Sequence, residues 1–81
     1  MRLPAIIKGD TAARLTRATD DLATTEQTIA GLQSERSARL LDAPGGEIEA
    51  LDRRIADQHR VAAVYREQIG QLQIKLAEET G

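Results

Sequence analysis

Arg39-Leu40-Leu41-Asp42-Ala43-Pro44-Gly45-Gly46-Glu47-Ile48 lies at the middle of an 81-residue chain, and its reading decides the fold. Pro44 has no amide hydrogen and biases Ala43 away from helical angles. Gly45 and Gly46 permit positive φ at little steric cost. A continuous helix would carry all three breakers in its interior, at a cost of several kcal/mol. The stretch therefore reads as a reversal of the chain. Glu47 and Glu49 then place acid at the start of a second helix, where the helix dipole favours it.

The residues on either side support the reversal. Before it, Leu15, Ala18, Leu22, Thr25, Ile29 and Leu32 recur in steps of three and four, the heptad seam of a coiled coil. With position a at 15, 22, 29 and 36, position d falls at 11, 18, 25, 32 and 39. After it, a falls at 48, 55, 62, 69 and 76, and d at 51, 58, 65 and 72. In an antiparallel pair an a residue shares a layer with a d residue. The layers are then Leu15 with Leu72, Ala18 with Ile69, Leu22 with Tyr65, Thr25 with Ala62, Ile29 with Gln58, Leu32 with Ile55, Arg36 with Leu51 and Arg39 with Ile48. Each pair of numbers totals 87, so the fold-back centre lies between Ala43 and Pro44. Heptad phase and breaker position agree independently.

The expected architecture is all-α: an antiparallel two-helix coiled-coil hairpin that associates into a four-helix bundle. Residues 1–9 are expected as an extended or flexible segment, 10–41 as the first helix, 42–46 as the turn and 47–79 as the second helix. Asp10, after Gly9, is a good N-cap. Each helix would be about 48–50 Å long at 1.5 Å per residue. Among flanking charges, Glu35 falls opposite Arg54 and Glu26 opposite His59, while Arg14 falls opposite Lys75.

Composition agrees with long helices. Charged residues make up 30% of the chain, and Tyr65 is the single aromatic, so a compact globular core would be poor. The net charge of −2 is interspersed, with no basic stripe of the kind nucleic acid selects. No apolar run approaches the ~20 residues of a membrane span. The opening residues, Met1 to Gly9, lack the apolar core and cleavage site of a signal peptide. Without cysteine there is no thiolate chemistry or disulfide framework. The expectation is a soluble, cytoplasmic protein.

The seam is thin, because Arg36, Gln58 and Thr25 occupy it and Ala18 and Ala62 add little area. Apolar residues lie outside it: Leu40, Leu41, Val61, Val64, Ile74 and the early Leu3, Ile6 and Ile7. At position b stand small residues, Thr16, Ala23, Ala30 and Ser37 on one helix and Ala56, Ala63, Gly70 and Ala77 on the other. They offer a smooth face for a further helix, or simply fill solvent positions with good helix formers. Ile6, Ile7, Val61, Val64 and Ile74 are the candidate interaction residues.

No residue group points to catalysis. His59 is the only histidine, and with Asp52 and Glu26 it makes a poor metal site. Tyr65 reads as a seam residue facing Leu22. Arg36, Arg39, Arg53 and Arg54 are interleaved with Glu35, Glu47, Glu49 and Asp52, a mixed-charge tip rather than a phosphate site. Gly45-Gly46 lacks the lysine and strand context of a phosphate loop. No cofactor, metal or small-molecule substrate is expected.

In architecture alone the pattern resembles the antiparallel coiled-coil arms of seryl-tRNA synthetases and prefoldin subunits. Heptads are shared by all such arms and specify none, so the resemblance implies a hairpin and no activity. The expected function is a non-enzymatic assembly module, a homo-oligomer with a dimer favoured. The alternative is a small regulator or adaptor that docks a partner's helix. A nucleic-acid-binding arm is the third reading, and the balanced charge argues against it.

Overall fold

The computed structural model describes the backbone of residues 2–42 and 44–81, with side chains from Asp10 onward. Two long helices, α1 (Arg2–Arg39) and α2 (Gly45–Thr80), lie against each other as an antiparallel hairpin. The molecule measures 63 × 16 × 14 Å. The expected all-α hairpin is present. No helix among the described residues is long and apolar enough to cross a membrane.

The element boundaries differ from those expected. Helix α1 begins at Arg2, so residues 2–9 are helical rather than extended. Pro4 is tolerated because the first four amides of a helix have no intrahelical acceptor, so its missing N–H removes no bond. Gly9 costs about 1 kcal/mol within a helix and does not break it. Asp10 is therefore not an N-cap; it lies inside α1 and receives Arg14 one turn on, at 3.2 Å. The longer α1 accounts for a molecule longer than the 48–50 Å read from the heptads.

The reversal also sits a little earlier than expected. Helix α1 ends at Arg39, and the Asp42 amide donates to the Arg39 carbonyl at 3.2 Å. Leu40 and Leu41 thus leave the helix. Pro44, extended at φ −60° and ψ 149°, is the residue before α2, and its carbonyl accepts from the Glu47 amide at 2.9 Å. Gly45 and Gly46 are the first two residues of α2, and neither has positive φ. The turn is completed upstream of them, so their freedom to adopt left-handed angles is not used. Ala43, at the predicted centre, lies outside the described residues.

The seam follows the heptads closely. The buried residues are Thr11, Ala18, Thr25, Ile29, Leu32, Leu51 and Ala62, and all seven are expected a or d positions. Leu15, Leu22, Arg36, Ile48, Ile55, Gln58, Tyr65, Ile69, Leu72 and Leu76 are half-buried; of the expected seam only Arg39 is exposed. Two helices cover one flank of each seam side chain and leave the other open to solvent, so among the described residues no large side chain is fully buried. Ala62 is wholly buried, and Thr25, its expected layer partner, is 7% exposed and donates its hydroxyl to the Asp21 carbonyl at 2.8 Å. That bond satisfies the one polar atom the Thr25 side chain brings into the seam.

Gly70 lies in the interior of α2, and a methyl group added there would meet nothing within 4 Å. Gly70→Ala is expected to stabilise the hairpin by about 1 kcal/mol through helix propensity. For a domain of this size that raises the melting temperature by about 4–8 °C. A fall in melting temperature would mean that another helix packs tightly on the small-residue face.

Candidate interaction surface

The flanks of the seam make two faces. One carries the g and c positions of both helices: Arg14, Arg17, Asp21 and Glu35 on α1, and Arg54, Val61, Val64, Gln68 and Gln71 on α2. The other carries e and b, including the small residues read from the sequence. On the g/c face, Arg14, Arg17, Ala18 and Asp21 face Val64, Gln68, Gln71 and Leu72 across a groove of 490 Å³. Ala18, a short side chain, and Leu72 are the seam residues that line it. Towards the turn, Glu35, Glu47, Ala50, Leu51 and Arg54 line a shallower depression of 170 Å³.

Large aliphatic side chains stand exposed on this scaffold. Val61 is 39% and Val64 51% exposed, Ile74 56%, Leu40 54% and Leu41 95%. Val61 and Val64 are neighbours at a spacing of three and form one patch beside the groove. Ile74 does not join them. Ten residues from Val64, at about 100° per residue, it points some 80° further round the helix. The candidate interaction residues Val61, Val64 and Ile74 are therefore a pair and a single residue rather than one surface. The side chains of Ile6 and Ile7 lie outside the described residues.

The charged rim differs from expectation in one systematic way. Glu26 accepts from Arg66 at 3.3 Å, not from His59. Side chains on a helix lean towards its N-terminus, so Glu26 and Arg66 lean towards each other while His59 leans away. Arg14 pairs with Asp10 along its own helix, which gives it an acidic neighbour on the side where Lys75 would repel it. Glu35 and Arg54 share the shallow depression but make no ion pair. Nearest the turn, Arg36 donates to Asp52 at 2.6 Å and Arg39 to Glu47 at 2.6 Å. These pairs are all substantially exposed, and each is worth about 0–1 kcal/mol. They fix register more than they add stability.

Glu79 was absent from the seam as read, although it follows Leu72 by one heptad. Its Oε2 accepts from the buried Thr11 hydroxyl at 2.8 Å, giving the open end of the hairpin a polar layer. The seven-residue step was the available signal, obscured by the charge of the residue. His59 is exposed at its e position on α2, and no group of three or more His, Asp or Glu among the described residues could hold a metal ion. Tyr65 is half-buried at its seam position. No family model matches the chain, and neither does a curated protein or a solved structure.

Proposed function

We propose that this protein is a non-enzymatic assembly module of the cytoplasm, a hairpin that associates with further copies of itself through its open faces. The observation that carries the reading is the exposed aliphatic surface, above all Val61 and Val64 beside an apolar groove. A chain with a half-buried seam and, among its described residues, no large side chain fully enclosed has little core of its own. Association supplies the missing burial, as in four-helix bundles assembled from two hairpins. The groove also supports a second reading, in which a partner's amphipathic helix lies along it.

Sedimentation equilibrium over a wide concentration range separates the two. Self-assembly predicts a dimer whose population rises with concentration and whose melting temperature rises in step. A folded monomer at every concentration would reject self-assembly and favour the partner helix.

A further inference from the structure

Resting on the self-assembly reading, we propose that the second copy docks on the g/c face, antiparallel, about a two-fold axis passing over the midpoint between Val61 and Val64. The e/b face carries small residues at b, and its Arg66–Glu26 pair is already made within one chain. The g/c face carries two features that select the same one. The first is apolar: a two-fold axis at that level sets Val61 of one copy against Val64 of the other, twice. The second is charge. Arg14 lines the groove at one end of the face, and Glu35 lines the depression at the other. The level midway between them falls between Thr24 and Thr25 on α1. In the register read from the heptads, where facing residues total 87, that level on α2 falls between Ala62 and Ala63, which is midway between Val61 and Val64. One axis therefore brings valine to valine and, at both ends, Arg14 of one copy to Glu35 of the other.

Other features of the face are compatible. Glu35 makes no ion pair within the described part of its own chain, so it is available to a second copy. Asp57 and Arg54 meet Gln68 and Gln71, which can hydrogen-bond to either charge. Glu47 and Glu78 approach each other at the ends, but Arg39 already holds Glu47. Over residues 10–39, the part of α1 that this axis pairs, a face about 44 Å long at 1.5 Å per residue and 16 Å wide offers roughly 700 Å² per copy, close to the ~800 Å² per partner of an interface of standard size. The alternative two-fold axis, parallel to the helices, would set Arg14 near Lys75 and Asp10 near Glu78, and like charges oppose it.

The test is a charge swap read by sedimentation equilibrium, with circular dichroism to verify folding. Arg14→Glu and Glu35→Arg alter exposed side chains, so the hairpin itself is expected to persist. Each single change is expected to weaken the dimer on the order of tenfold at low salt, because two attractive contacts become repulsive. The double variant is expected to recover wild-type association to within about threefold. A wild-type dimer that is insensitive to the single changes, or is not restored by the pair, overturns this interface while leaving self-assembly intact. A wild-type monomer at every concentration overturns both.

Discussion

Leu32→Asp is expected to unfold the protein. Leu32 is 6% exposed, follows the buried Ile29 on the seam, and shares its expected layer with Ile55. The substitution removes a buried aliphatic side chain, worth about 3–5 kcal/mol with its cavity. It also places a carboxylate where no cation lies in the seam layer, at further cost. A chain of this length has a total stability of about 4–12 kcal/mol. The loss therefore consumes most or all of it, and helical circular dichroism at 25 °C should collapse. The control is Leu41→Asp, the same substitution at a leucine 95% exposed beyond the end of α1, which should cost less than about 0.5 kcal/mol. Equal melting of the two variants would mean that the seam has been assigned to the wrong face of α1. Ile55→Asp is expected to behave as Leu32→Asp does, from the opposite side of the same layer.

The heptads made the hairpin legible because a period of three and four fixes which face of each helix is buried, whatever happens at the ends. All seven buried residues fall on that face. The ends were less legible. Residues 1–9 read as extended or flexible, but Pro4 lies where a helix has no amide bond to lose and Gly9 costs too little to stop it. Gly45 and Gly46 read as the turn because glycine allows positive φ, yet an extended Pro44 lets α2 begin directly after it. Ion pairs were misassigned where register alone was considered, since the lean of helical side chains decides between His59 and Arg66. The interaction surface was legible only as a set of apolar residues outside the seam. Grouping Val61 with Val64 and separating Ile74 required the rotation of each residue about its helix.

Joining the helices across the expected Thr25–Ala62 layer should produce the largest gain in stability. Thr25 and Ala62 face each other in the predicted register and are 7% and 0% exposed. The chain contains no cysteine, so Thr25→Cys with Ala62→Cys introduces the only two thiols. The bond closes a loop of about 38 residues, and restricting the unfolded chain in this way is worth about 4 kcal/mol. At about 4–8 °C per kcal/mol, the oxidised form should melt some 15–30 °C above the same variant reduced. Comparing the two redox states of one variant removes the cost of losing the Thr25 hydroxyl bond to Asp21, because both states have lost it. The off-register pair Thr25→Cys with Gln73→Cys separates its sulfurs by about 16 Å along the helices, at 1.5 Å per residue, and cannot close without sliding them. If that pair oxidised readily within one chain and the first did not, the helices would be paired in a different register. The valine patch and the Arg14–Glu35 relationship, whose midpoints coincide only through the total of 87, would then lose their common axis.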